Sequence, residues 1–260
     1  MRRLLVAGLM AASALGAAAP AHAQAFTQEK GHGRVITSAI YSHSDRGFND
    51  DAHSINIPNY DQYEVYLIGE YGVTDDLTLL LTPSLRDVEV RGASDSHGLG
   101  YTDVGARYRV VRGDNYLLSF QGLVRIPGMK RRDILAQVGQ TDAEYEARAQ
   151  GAVTFGRGSF VNVEGAYRLR AGDPPNDFHL DATLGIRAAP RLLLLANSFN
   201  TISDGDGRGV FRRYRYHNAY LSGAYDVSDR VTLQLGGLGT VAGRNALRER
   251  GLFAGVWLRF

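Results

Sequence analysis

The last ten residues, Gly251 to Phe260, constrain this chain more than any other stretch. Leu252, Ala254, Val256, Leu258 and Phe260 fall on every second position, so an extended strand points all five at one face while Arg259 takes the other. One face is apolar and the other tolerates a charge. A strand of this kind fits either a soluble sandwich or a barrel, and the rest of the chain must decide between them.

The amino terminus argues for export. Met1, Arg2 and Arg3 precede an apolar run from Leu4 to Ala19, and Ala21-His22-Ala23 supplies small residues before Gln24. That order reads as a secretory signal peptide over 1–23, leaving 24–260 as the mature domain. No later stretch offers roughly 20 consecutive apolar residues, which excludes a helical membrane protein. A mature chain that enters a membrane must then do so as a barrel. There is no cysteine, hence no disulfide framework or thiolate metal site. The formal net charge of +2 gives no reason to expect nucleic acid as a partner.

Alternation of apolar and polar residues recurs through the chain, broken by Asp, Asn and Gly clusters that read as hairpin turns. It predicts twelve strands, over 34–44, 63–73, 77–90, 101–111, 116–126, 143–155, 160–170, 178–187, 191–202, 214–227, 231–241 and 251–260. The connections alternate between long and short. An even strand count with that asymmetry fits an all-β, single transmembrane, antiparallel up-and-down barrel. The pattern is cleanest over 143–187, where Tyr145, Ala147, Val163, Tyr167, Phe178 and Leu180 share one face and Glu146, Arg148, Glu164, Arg168 and Asp181 the other. A sandwich would bury the first set, whereas a barrel shows it to lipid. Tyr71, Tyr108, Phe155, Tyr225 and Phe260 near the short turns, with Tyr145, Tyr167 and Phe178 near the long loops, suit two interfacial girdles.

Three acid–arginine pairs have one spacing. Glu64 and Arg86, Asp103 and Arg125, and Glu146 and Arg168 are each 22 residues apart, about symmetric around a short turn and on the inward face. Positions equidistant from a hairpin turn face each other across the ladder. The six side chains are expected to line the pore as a charged belt, either satisfying one another or forming a constriction that orients a passing solute. In all, Arg86, Arg107, Arg109, Arg125, Arg148, Arg168, Arg170, Arg187 and Arg259 are expected inside, against Glu64, Glu70, Asp103, Glu144, Glu146, Glu164, Asp181 and Asp226. Such a lumen is polar and nearly neutral.

Catalytic and metal signals are weak. No zinc-protease, nucleophile-elbow or phosphate-loop motif occurs, so no enzyme, cofactor or metal is expected. His217 has outward parity, but no serine can be placed beside it for lipid hydrolysis. Asn49-Asp50-Asp51 and Ser203 to Gly207 are better explained as turns than as calcium loops. Lys130, Arg131, Arg132, Arg212, Arg213 and Arg244 are loop residues suited either to lipopolysaccharide phosphates or simply to solvent.

Ending on an aromatic after alternating apolar positions resembles the closing strand of bacterial outer-membrane barrels, which implies that Phe260 is a signal read by the barrel-assembly machinery. Glu70 to Leu79, Tyr101 to Tyr108 and Ala224 to Val231 resemble recurring hairpins of the outer-membrane family named for the meta-pathway of phenol degradation. That resemblance implies a barrel set among outer-membrane lipids and lipopolysaccharide, with passive uptake of small solutes, aromatic ones among them. A non-conducting structural or surface-interaction barrel is the alternative, and a lipid hydrolase is the third reading.

Overall fold

The computed structural model describes residues 25–92, 95–128, 142–209 and 211–260. Residues 1–23, expected to be a signal peptide, and the basic residues Lys130, Arg131 and Arg132 lie outside the described residues. The strands are β1 (Gly33–Phe48), β2 (Ser54–Gly72), β3 (Leu77–Val90), β4 (Ser96–Arg112), β5 (Tyr116–Ile126) and β6 (Glu144–Phe155). They continue as β7 (Ser159–Arg170), β8 (Asp177–Ala189), β9 (Leu192–Ser203), β10 (Arg215–Asp226), β11 (Val231–Arg244), the two-residue β12 (Ala246–Leu247) and β13 (Arg250–Arg259).

The long strands pair antiparallel in chain order, and β1 pairs with β2 on one side and β13 on the other. The sheet is therefore a closed barrel of twelve long strands, and closure removes every free edge. β12 adds a short patch against Gly47 and Phe48. At the seam, Gly33 N donates to Phe260 O at 2.9 Å and Phe260 N to Gly33 O at 3.0 Å. The Phe260 ring lies where a β-carbon on Gly33 would stand, so only glycine fits opposite the terminal residue.

The alternation resolves into an inside and an outside. Leu180 is 60% exposed on the outer wall, while Arg125 is fully buried within. All nine arginines and eight acids expected inside point inward. The aromatics expected at the two rims are on the outside, with Tyr167 packed on Phe178 at 4.7 Å between ring centres.

Four strands are longer at their long-loop ends than the alternation foretells. β1, β2, β4 and β11 extend past their apolar-polar pattern there, and in the first two Arg46↔Asn56 and Phe48↔Ser54 continue the ladder through polar residues. Backbone pairing there outlasts the hydrophobic signal that side chains provide. Pro83 in β3 marks an irregular stretch, with no β2 pairing between Tyr66↔Ser84 and Gly69↔Leu81 and a register shift against β4. Proline has no N–H to give to a ladder.

Candidate functional site in the barrel lumen

The strand register sets the charged residues opposite one another. Glu64 faces Arg86, Asp103 faces Arg125, and Glu146 faces Arg168. Arg86 Nη2 donates to Glu64 Oε1 at 2.6 Å, Arg125 Nε to Asp103 Oδ1 at 2.9 Å, and Arg168 Nε to Glu146 Oε2 at 3.0 Å. The six do not join into one even belt. Because the β3–β4 register sets Arg86 opposite Gly98 and Asp103 opposite Thr82, the first pair is offset from the other two along the wall.

The other two pairs belong to a larger network on β4 to β8. Glu144 accepts from Arg125 at 2.9 Å and pairs with Arg170 at 3.1 Å. Arg148 is the hub: it contacts Glu146 at 3.0 Å, Glu164 at 2.6 Å and Asp181 at 3.1 Å. Arg170 also holds Asp177 at 2.6 Å, and Asp177 accepts from Tyr214 at 2.6 Å and meets His179 Nε2 at 2.7 Å. Tyr101 lies under the Arg125 guanidinium, 4.7 Å from its ring centre. Charges buried at this density persist only because nearly every one has an opposite partner. Reversing Glu64 to Arg is expected to impair refolding by about 3–5 kcal/mol, the cost of a broken buried pair, and adding Arg86→Glu to restore part of it, as read from denaturant unfolding in detergent.

Alternation missed three charged groups of this interior. Arg34 pairs with Glu70 at 2.5 Å, while Asp177 and Glu249 are also buried. Arg34 starts a strand, and the other two lie in what reads as loop, where parity gives no signal. His179 faces Thr201 and Asn218 faces Thr240.

The opposite wall corrects the expectation of a polar lumen. On β9, β10, β11, β13 and β1 the inward positions carry Leu193, Leu195, Phe199, Tyr220, Leu238, Phe253, Trp257, Ile36 and Ile40, which form one buried cluster. Tyr220 packs edge-on against Phe199 at 5.2 Å and lies 5.7 Å from Phe253. The lumen is thus uneven: ion pairs are densest on β4 to β8 and aromatic and aliphatic groups densest on β9 to β1, while Leu117, Ala152 and Phe160 extend the apolar cluster onto β5 to β7 and Arg34, Asp226 and Arg259 carry charge onto the other side. Leu192 to Leu195 is apolar at every position, so alternation could not mark its inward face.

The segment before β1 enters this lumen at the short-turn end. Ser119 Oγ donates to Ala25 O at 2.5 Å, Arg107 Nη1 to Phe26 O at 2.8 Å, and Gln28 Nε2 to Glu70 Oε2 at 2.7 Å. Thr27 Oγ1 donates to Asp75 O at 2.6 Å and Gln28 N to Thr78 Oγ1 at 2.8 Å. Ala25 is fully buried and joins the apolar cluster. A cavity of about 420 Å³, lined by Phe26, Thr27, Arg109 and Tyr116 among others, opens beside the segment. Gly72 lies directly against it, and a β-carbon there would collide with the Glu29 and Gln28 carbonyl oxygens. In sequence this stretch reads only as a polar lead-in.

At the long-loop end, Asp50 Oδ1 accepts from Arg244 Nε at 3.1 Å and from Asn245 Nδ2 at 2.9 Å, linking the β1–β2 connection to the end of β11. The Arg244 hydrogen bond is the chief cause holding the Asp50 carboxyl below its usual range. Asp206 accepts from the Arg213 amide and Asp204 from Tyr167, so both loop acids serve local structure. On the outer wall His217 Nδ1 and Asn200 Oδ1 are 2.8 Å apart. Ser198, which the sequence does not set beside His217, hydrogen-bonds with Asn200.

No protein-family model and no curated protein sequence matches the chain. Among solved structures, it resembles the COG4313 outer membrane channel from Pseudomonas putida F1 with a TM-score of 0.78 at 16% identity, over 91% of this chain and 98% of that one. It resembles the NanC porin with a TM-score of 0.56 at 10% identity, over 85% and 98% of the two chains. The translocator domain of the autotransporter NalP from Neisseria meningitidis aligns with a TM-score of 0.55 at 11% identity, over 90% of each. At such identities the likeness establishes the fold, which is that of a small outer-membrane-type β-barrel.

Proposed function

We propose that this protein is an outer-membrane channel through which small amphipathic solutes, aromatic ones among them, pass between a charged wall and an aromatic wall. The observation that carries the reading is the distribution of groups on a closed barrel: hydrocarbon outside, ion pairs inside. Such an exterior is rare in a water-soluble monomer, where large contiguous apolar patches are uncommon, and closure pairs each long strand on both sides, as a bilayer demands. In this reading residues 1–23 are removed on export and 24–260 insert with both ends at the inner face. Phe260 addresses the assembly machinery, and Arg212, Arg213 and Arg244 approach lipopolysaccharide from the outer rim. Glu64, Arg86, Asp103, Arg125, Glu146 and Arg168 form the polar side of the constriction.

A non-conducting barrel is the second reading. It is favoured by the burial of almost every inward side chain and by the segment lodged at the short-turn end. Planar-bilayer recording on refolded protein separates the two, together with a liposome-swelling series over sugars, amino acids and aromatic acids. Discrete steps and faster swelling with aromatic than with sugar solutes are expected. A lipid baseline without steps, in the intact chain and in a variant with its amino-terminal segment displaced, removes the channel.

A further inference from the structure

One acid inside the barrel breaks the rule the others obey. Nine of the ten buried inward carboxylates have an arginine nitrogen within 4.0 Å. Among the described residues Glu249 is the exception: it is 5% exposed, and its side-chain partner is the Ser42 hydroxyl, which donates at 3.0 Å. It stands on the aromatic wall, between β12 and β13, with its backbone fixed by Thr240 on β11.

Part of the lumen's unspent hydrogen-bonding capacity lies around it. Register places Tyr220 beside Leu238, Leu238 beside Gly251, Gly251 beside Ser42 and Ser42 beside Gln62, in one row across five strands. Glu249 is two residues from Gly251 on the same face. In or next to this row, Gln62 Nε2, Glu64 Oε2, Asn218 Oδ1 and the Tyr220 hydroxyl are buried without a hydrogen-bond partner. Glu249 and Glu64 both lie within electrostatic range of the Tyr220 hydroxyl. Buried polar atoms are normally satisfied, so a cluster that is not marks a place for a ligand. Two carboxylates face one guanidinium here, that of Arg86, which favours a cation. Most of the open atoms accept hydrogen bonds, and the Tyr220, Phe199 and Phe253 rings supply an apolar and cation-attracting side.

We propose that Glu249, with Glu64, Asn218 and Tyr220, forms a luminal binding site for the ammonium head of a primary organic amine whose apolar body rests on the aromatic wall. The site rests on the channel reading for its access, since an amine must enter the lumen to reach it. Rings on one side and a limited set of oxygens suit an ammonium better than a hard divalent ion, which takes six to eight oxygens.

Calorimetric titration of refolded protein with benzylamine and with benzyl alcohol tests this. It is run on the natural chain and in a Gly72→Val background, which is expected to displace the amino-terminal segment. Benzylamine is expected to bind about tenfold or more tightly than the alcohol, and Glu249→Gln to bring the two together while the heat-shift of the folded band on gels is unchanged. Glu249→Asp, which keeps the charge, is expected to retain part of the preference. Equal binding of amine and alcohol in both backgrounds overturns the proposal, as does a preference that Glu249→Gln leaves intact or that calcium chloride alone abolishes. Conductance measured on the same samples keeps the two ideas apart: steps without amine selectivity remove the site only, and selectivity without steps removes the channel only.

Discussion

Deleting residues 25–30, or replacing Gly72 with valine, is expected to raise single-channel conductance severalfold while leaving the barrel folded. The segment makes hydrogen bonds to Ser119, Arg107, Glu70, Thr78 and Asp75, all at the short-turn end, and Ala25 seals onto the apolar cluster. None of these contacts belongs to the strand ladders, so the closed sheet does not depend on them. Deletion leaves Arg107 still paired with Glu70 at 3.2 Å and bonded to Gln121, and no charge is stranded. Gly72→Val is the milder test, because the added carbons meet the Glu29 and Gln28 carbonyl oxygens and push the segment outward. Removing a steric obstruction from a narrow pore acts directly on ion flow. Equal conductance in all three proteins would mean that the segment does not limit passage.

Arg148→Ala is expected to be the most damaging single substitution in the lumen. Glu146, Glu164 and Asp181 share this one guanidinium, and each is buried. Removing one member of a buried ion pair costs about 3–5 kcal/mol, and although Glu146 keeps Arg168, Glu164 and Asp181 lose the arginine between them. The expected result is loss of the heat-resistant folded band, or an unfolding midpoint in urea shifted by that amount. Arg148→Lys, which keeps a charge without the planar fork, is expected to fall between the two. Adding Glu164→Gln to Arg148→Ala is expected to recover part of the loss. An alanine variant as stable as the natural chain would mean that the network is hydrated and contributes little.

How much of this was visible beforehand depends on whether side chains alternate. Between 144 and 187 most apolar residues have a polar neighbour, so inside and outside are readable, and the 22-residue spacing gives the register of three hairpins to the residue. Where the chain is apolar on both faces, as at Leu192 to Leu195, the same rule is silent, and an aromatic wall passed for a polar one. Strand ends failed for another reason. Ser54 to Tyr60 contains Asn and Pro and reads as a loop, yet it extends a ladder that the backbone alone maintains. Glu249 was hidden in the loop reading of 242–250. Ala25 to Lys30 has no periodicity at all, and its place is set by partners about 40 to 90 residues away in sequence.

In the proposed arrangement hydrocarbon faces a bilayer while charges and rings fill the interior. The chain's single tryptophan, Trp257, is 1% exposed inside the barrel, where its indole N–H donates to Gln234 at 3.2 Å. Leu180 lies on the outer wall. Fluorescence of refolded protein in vesicles made with acyl-brominated phosphatidylcholine reads both positions. The account predicts that Trp257 is scarcely quenched and that a Trp257→Phe, Leu180→Trp variant is quenched strongly; strong quenching of Trp257 with none at position 180 would contradict it.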